Sequence, residues 1–254
     1  MKTIKISPSA INQFYRCSMQ YKWRVIDDLT QDPGTDNLYA VLGTALHKTS
    51  ELNDLFNISQ EDLRKSFKVL FLSFMTETKN LPKDVEWQTF LSKGYDLING
   101  LFTIKEKFKD SKKVAVEKYF IFPYKNKYFE EAFLSGRVDL LLQTKKIYTA
   151  LDWKTSKRTN SNIDLDDQMS FYILFIHKAH LVPFDDIFGC LAYPALEKYI
   201  FTQREEQDFE PIYEKINKML ERISKEDFKK EPKICGNLDG CTFCPYIYQC
   251  DDHK

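Results

Sequence analysis

Two acids and a lysine between Gly136 and Ser156 carry residue types that could hydrolyse a phosphodiester. The stretch reads G-R-V-D-L-L-L-Q-T-K-K-I-Y-T-A-L-D-W-K-T-S. Asp139 stands at the end of one apolar run, and Asp152 and Lys154 at the end of the next. Strand side chains alternate faces, so Asp152 and Lys154, two apart, point the same way. Paired carboxylates suit a hard divalent cation, Mg²⁺ or Mn²⁺, which keeps waters for use as a nucleophile. An ammonium group beside them can orient that water or offset charge on a pentacovalent phosphorane. A D…D-x-K pattern alone is weak, because Asp and Lys are common on surfaces. The apolar strands that carry it here make it specific.

The elements that must position these residues follow from period and punctuation. The runs Val114–Phe122, Phe133–Gln143 and Ile147–Lys154 are rich in β-branched and aromatic residues and read as strands. Ser7-Pro8 reads as a cap followed by proline at the first helical position, opening a helix to about Trp23 with Ile11, Phe14, Tyr15 and Met19 inward. Thr30–Asn37 reads as a loop. Leu38 to Leu55 follows as a helix with Val41, Leu42, Ala45, Leu46 and Thr49 on one side. Further helices are expected at Gln60–Thr78, Val85–Lys109, Leu165–His180 and Glu205–Ser224, with short strands at Ile187–Pro194 and Lys198–Thr202. The tail from Pro232 reads as irregular. The order is helices, three strands, helix, two strands and helix, an α/β chain with a helical region first.

Other candidate positions stand out by spacing. His47 and Glu51, in G-T-A-L-H-K-T-S-E, are one helical turn apart and share a face. Gln168 and Tyr172, in Q-M-S-F-Y, are likewise one turn apart. Glu117 lies in V-A-V-E-K-Y-F, where alternation puts it with Ala115 and Tyr119 on one face. Lys157 and Arg158 follow the acidic strand and could meet phosphates. Cys241-x2-Cys244 can bring two sulfurs to one metal or cluster, with Cys250 as a third ligand. The fourth ligand could be Cys17 in S-P-S-A-I-N-Q-F-Y-R-C or the nearer Cys235, which would make a local zinc knuckle. Cys190, on an apolar strand, reads as a buried structural cysteine.

Taken together these motifs resemble the PD-(D/E)XK nuclease superfamily, and within it the RecB-like nucleases with an iron–sulfur cluster, such as the AddB nuclease domain and the CRISPR-associated exonucleases. The resemblance runs from Ser7 to Cys250 and is weakest between Asn53 and Lys113. It implies a restriction-endonuclease-like α/β core, a mixed central sheet flanked by helices, with an N-terminal helical region and a C-terminal cysteine-rich segment. Residues 1–254 would then form a single nuclease domain, with 53–110 a helical insertion or lid and 232–254 a tail closing onto the N-terminal helix. It further implies that His47 joins Asp139 and Asp152 as a metal ligand, and that the Trp153 carbonyl can serve as another. Glu51 and Glu117 would stand around the site. Gln168 and Tyr172 would position a phosphate or the catalytic Lys154. Cys17, Cys241, Cys244 and Cys250 would hold a 4Fe–4S cluster joining the chain ends, with a Cys₄ zinc site as the competing use of the same ligands. The activity implied is metal-dependent DNA exonuclease cleavage of single-stranded or end-bearing DNA in recombination, repair or replication. A structure-specific endonuclease, or a DNA-binding subunit of a recombination or CRISPR adaptation complex, is the alternative.

Composition bounds the rest. Lys plus Arg and Asp plus Glu are 37 each, for zero formal charge, which excludes a strongly basic DNA coater but not a local basic channel. The 20 Phe and 14 Tyr suit a well-filled core, with some rings free to stack on bases. No run is apolar and long enough to span a bilayer, and the first residues lack a secretory signal, so a cytoplasmic location is expected, the host's if the source is viral. Six cysteines there point to metal or cluster binding and not to a disulfide framework. No Walker-type phosphate loop is present, so no ATP-driven motor is expected. A homo-oligomer or a recombination partner protein is compatible with all of this.

Overall fold

The computed structural model describes residues 3–30, 38–78, 86–160, 162–230 and 244–250. In chain order the elements are β1 (Thr3–Ile6), α1 (Pro8–Arg16), α2 (Ser18–Tyr21), a π-helical turn (Lys22–Ile26), α3 (Leu38–Phe56), α4 (Gln60–Glu77) and α5 (Trp87–Glu106). Then come β2 (Lys112–Pro123), β3 (Glu131–Thr144), β4 (Ile147–Trp153), α6 (Asp167–His180), β5 (Ile187–Tyr193), β6 (Lys198–Thr202) and α7 (Glu210–Ser224). The six strands form one mixed sheet in the order β1-β3-β4-β5-β6, with β2 also pairing β3. The expected α/β core, a mixed sheet with flanking helices, is present.

The chain divides into two compact units. The first comprises Met1–Asp36, Ile121–Ser135 and Glu210–Lys254. In it β1 lies parallel to β3, with Thr3 opposite Glu131 and Ile6 opposite Leu134. Ser7 caps α1 through its Oγ, which accepts from the Ala10 amide at 3.2 Å, and Pro8 opens the helix as expected. Helix α7 buries Ile212, Ile216, Met219, Leu220 and Ile223, an i, i+4, i+7 stripe. The Arg222 guanidinium sits 4.9 Å from the Phe14 ring of α1.

The second unit comprises Asn37–Phe120 and Gly136–Phe209. Its core joins Leu42, Leu46, Phe67, Phe71, Leu97 and Leu101 of three helices to Leu140, Leu142, Leu151, Trp153, Cys190 and Ala192 of the sheet. Burying such a set removes apolar surface worth about 1.5–3 kcal/mol per large side chain. Helix α5 approaches closely only because two glycines lack side chains: a Cβ at Gly94 would lie 2.1 Å from the Phe67 ring, and one at Gly100 1.9 Å from the Pro194 carbonyl oxygen. β4 and β5 are parallel and therefore need a crossover, which α6 supplies.

Several expectations are corrected. The segment Thr3–Ile6 is a strand that sequence reading did not assign, so the chain opens on β and not on a helix. The helix expected to run unbroken to Trp23 is interrupted at Cys17, whose backbone is extended (φ −159°, ψ 105°). Tyr15, expected inward, is 40% exposed and donates from its hydroxyl to the Lys215 carbonyl at 2.7 Å. The helix expected from Leu165 starts at Asp167, after a 3₁₀ turn at Ile163–Leu165 and a cap at Asp166. The last helix starts at Glu210, after another 3₁₀ turn at Glu206–Phe209. The remaining helices and strands stand within a few residues of their expected bounds. The expected loop at 31–37, the turn around Pro82, Cys235 and Cys241 lie outside the described residues.

Candidate active site

All the acidic and amide candidates fall in the second unit. β3 and β4 pair antiparallel, with Leu140 opposite Leu151 and Leu141 opposite Ala150. Alternation then sends Leu140, Leu142, Leu151 and Trp153 to the face that packs on the helices, and Asp139 and Asp152 to the other. One further step of the same register sets Asp139 across from Asp152. The Asp139 Oδ2 accepts from the Trp153 backbone amide at 2.9 Å, which holds the carboxylate across the strand end.

His47, one turn beyond Gly43 on α3, points its Nδ1 at Asp139 Oδ2, 3.2 Å away. Burial alone would lower the His47 pKa, but the Asp139 bond and the charges of Asp139, Asp152 and Glu117 leave it raised. Glu117 joins this group and has an irregular backbone. Its φ is +48°, a left-handed conformation costly for a residue with a side chain. Glu117 stands with His47 and Asp139, one ligand atom from each lying within 4.8 Å of the others. Burial, then the Asp139 charge, pushes the Glu117 carboxyl up; Arg137, 3.6 Å away, and His47 oppose this. Glu51 pairs with Lys48 at 2.5 Å instead of bonding the imidazole.

Asp152 is 2% exposed and sits at the centre of a second set of bonds. Its Oδ1 accepts from Gln168 Nε2 at 2.8 Å and from the Tyr172 hydroxyl at 3.3 Å. Lys154 Nζ lies 2.6 Å from Asp152 Oδ2 and donates to Gln168 Oε1 at 2.8 Å. The Lys154 backbone amide donates to the Ala192 carbonyl at 2.8 Å, which fixes the residue just past the end of β4. Burial lowers the Lys154 pKa, but Asp152 outweighs it and the amine stays an ammonium. Burial pushes Asp152 up, the Asp139 charge adds to this, and Lys154 and His47 pull back. Tyr172 is 2% exposed, and burial with the Asp152 charge raises its pKa well above the ordinary phenol. Its hydroxyl therefore acts inside the site, on Asp152 and Gln168. Trp153 turns its ring to the opposite face, 5.7 Å from Lys105 Nζ.

The residues present fit a divalent cation. Asp152 Oδ2 is buried, and the Lys154 ammonium meets it at 2.6 Å. Two crowded carboxyls, Asp152 and Glu117, are pushed up by burial and by Asp139, the imbalance a cation would relieve. Lys157 and Arg158, beyond Lys154, are exposed and line a neighbouring cleft.

The fold and this site support a hydrolase of the metal-dependent nuclease class, built on a strand pair that presents D…D-x-K. The chain belongs to the PD-(D/E)XK nuclease superfamily, whose model matches residues 5–251. A search of curated proteins finds no match to the chain. Members of this superfamily are typically metal-dependent nucleases, and the His47–Glu117–Asp139 group here could bind such a metal. No helix among the described residues is long and apolar enough to cross a membrane.

Cys17, Cys244 and Cys250 form a separate neighbourhood in the first unit. Cys17 sits at the break between α1 and α2, Cys244 is half-buried, and Cys250 is buried. Burial pushes the Cys244 thiol up, and the charges of Cys17 and Cys250 add to this, so the three share one electrostatic environment. Gln20 Nε2 donates towards Cys244 Sγ at 3.8 Å. Tyr246 anchors the segment, its hydroxyl donating to the Leu29 carbonyl at 3.3 Å and its ring 5.9 Å from Trp23. Cys190 is buried in the second unit, as expected.

Sequence reading overlooked Arg204. It is 2% exposed, donates to Ser170 Oγ at 3.0 Å and to the Ile163 and Gln203 carbonyls at 2.9 Å each, and bonds Thr202 Oγ1. It thus holds the turn that leads into α6 and its Gln168. A lone arginine after a short strand carries no sequence signal of that role.

Proposed function

We propose that the protein is a Mg²⁺- or Mn²⁺-dependent DNA exonuclease that acts on single-stranded or end-bearing DNA in recombination, repair or replication. The observation that carries this reading is the convergence of His47, Glu117 and Asp139, one ligand atom from each within 4.8 Å of the others, beside the buried Asp152 and its Lys154 ammonium. Asp139 and Asp152, with His47, Glu117 and the Trp153 carbonyl, would hold the cation. When bound, the cation supplies Lewis-acid polarisation of the scissile phosphate and a water of lowered pKa.

The chain's own groups divide the remaining work. Lys154 has three N–H donors; Gln168 takes one and Asp152 draws the ammonium close. A remaining donor can meet the attacking water or a phosphate oxygen, where an ammonium stabilises the charge that develops during in-line displacement. Gln168 holds Lys154 and Asp152 in register, and Tyr172 supports Gln168 and Asp152 from beneath. Net charge is zero, so DNA affinity would come from a confined path, to which the cleft-lining Lys157 and Arg158 would contribute. Cys17, Cys241, Cys244 and Cys250 would hold a structural 4Fe–4S cluster in the first unit.

The test compares end-labelled linear DNA with covalently closed single-stranded circles of the same sequence, with Mn²⁺, with Mg²⁺ and with EDTA. Linear strands should be degraded and circles spared, and EDTA or Asp152→Ala should stop the reaction. A folded Asp152→Ala protein that cuts at the wild-type rate would end the assignment. Circles cut as fast as linear strands would replace the exonuclease with an endonuclease.

A further inference from the structure

A cleft of about 740 Å³ opens in the second unit immediately beyond Lys154. One wall is the chain that leaves β4, where Thr155, Ser156, Lys157 and Arg158 follow the catalytic lysine. The other wall comes from α3 and α5, with Tyr39, Leu42, Lys93 and Leu97. Three cations face it against the single carboxylate of Asp96. Such a balance favours a polyanion within a chain whose total charge is zero.

Tyr39 is the unusual member. Leu42 and Leu97 beneath it are each 4% exposed, so the apolar junction of α3 and α5 is already covered. Tyr39 nonetheless keeps 64% of its surface in solvent. Its ring is braced from the side by Phe90, with centroids 5.0 Å apart and planes at 71°. The Lys93 ammonium lies 5.2 Å from the Tyr39 centroid and 4.6 Å from that of Phe90. An aromatic face held rigid and open at the mouth of a cationic cleft is the arrangement that stacks an unpaired base while lysines take the flanking phosphates. Tyr39 stands eight residues before His47 on the same helix, about 12 Å along its axis. That is within reach of a few nucleotides running from the metal-ligating residues.

We propose that Tyr39, braced by Phe90 and Lys93, is a base-stacking platform for single-stranded DNA, and that Lys93, Lys157 and Arg158 bind the phosphates on either side of the stacked nucleotide. The proposal rests on the nuclease reading above and names how that site selects its substrate. Every base has a face to stack, so the platform tolerates any sequence. A base paired inside a duplex cannot present its face, so the platform excludes double strands without a built-in clash.

The experiment measures binding of a labelled oligothymidylate by fluorescence anisotropy in EDTA, where no cleavage occurs. Tyr39→Ala should weaken binding about tenfold or more, the usual effect of losing one stacked base, and Tyr39→Phe should restore it. Lys93→Ala should weaken binding and lower the slope of log affinity against log salt by about 0.7. A strand carrying 2-aminopurine at successive positions should show quenching at one position with wild type and Tyr39→Phe, and none there with Tyr39→Ala. If wild type degrades DNA but Tyr39→Ala binds and quenches as wild type does while melting at lower temperature, the ring is only a cover for the helix junction and the platform is overturned. If wild type neither binds the strand nor degrades DNA, the nuclease reading itself falls and takes the platform with it.

Discussion

The Gln168 amide joins Asp152 to Lys154: Nε2 donates to Asp152 Oδ1 at 2.8 Å while Oε1 accepts from Lys154 Nζ at 2.8 Å. Both ends of one side chain on α6 thus fix the carboxylate and the ammonium that β4 presents. Neither partner can rotate freely without breaking a bond to a rigid helix.

Gln168→Leu keeps the volume and removes both bonds. The variant should fold, retain most of its melting temperature, and lose about 10- to 100-fold in activity or metal affinity, the usual effect of removing a group that orients a ligand. Titrating Mn²⁺ into wild type and variant separates the two. An unchanged rate and an unchanged metal midpoint would show that Gln168 is only part of the helix face.

Arg204 makes a second positioning prediction. Its planar fork reaches Ser170 Oγ and the Ile163 and Gln203 carbonyls together. A lysine has no such fork, so Arg204→Lys should not rescue what Arg204→Met loses. Both should destabilise the protein by a few kcal/mol through buried carbonyls left without donors. At temperatures where both remain folded, activity on linear DNA should fall together with the Gln168 contacts. A fully active Arg204→Lys variant would remove the arginine from the support of α6.

The legible part of the site was the part carried by period. Asp139 and Asp152 sit on apolar strands and Lys154 directly follows one, while His47 and Gln168 sit on helices one turn from Glu51 and Tyr172. What sequence could not show came from breaks in those periods. Y-R-C-S-M-Q continues a helical pattern, so the extended backbone at Cys17 leaves no trace in residue types. Alternation around Glu117 is compatible with a solvent-facing position, whereas Glu117, with its left-handed backbone, stands beside His47 and Asp139. Thr3–Ile6 alternates correctly but over four residues, too few to distinguish a strand from a leader to the Ser7 cap. Tyr39 falls among the apolar residues Leu38, Ala40, Val41 and Leu42, and its exposure depends on how α3 and α5 pack.

Lys105 predicts a pH dependence of stability. Its ammonium is mostly buried, 2.6 Å from both Asp54 Oδ1 and Asn53 Oδ1. Burial lowers its pKa from 10.5 to about 8, with Asp54 offsetting part of the shift. The unfolded chain therefore binds more protons than the folded one between about pH 8 and 10.5, so this group's contribution rises with pH across that window and is lost as pH falls through about 8. The shift corresponds to about 3 kcal/mol as an upper figure. Urea unfolding of wild type and Lys105→Met from pH 7 to 10 cancels the titration of other groups. The gap in unfolding free energy should move in favour of wild type as pH rises, and a flat gap would show that the buried amine keeps its ordinary pKa.

The cysteines make the last prediction. Cys17, Cys244 and Cys250 share one environment in the first unit, and Gln20 donates towards Cys244 Sγ. Protein prepared without oxygen should contain iron and sulfide in near-equal amounts and show the broad visible absorbance of thiolate-bound clusters. Cys17→Ser should remove both and lower the melting temperature, because ligation would join residue 17 to residues more than two hundred positions later and its binding free energy would add to folding. Cys235→Ser and Cys190→Ser should keep the iron. Zinc in place of iron would leave the ligand set but change the group it holds. A colourless Cys235→Ser protein beside a coloured Cys17→Ser protein would move the fourth ligand to the tail and leave Cys17 a free thiol at a helix break.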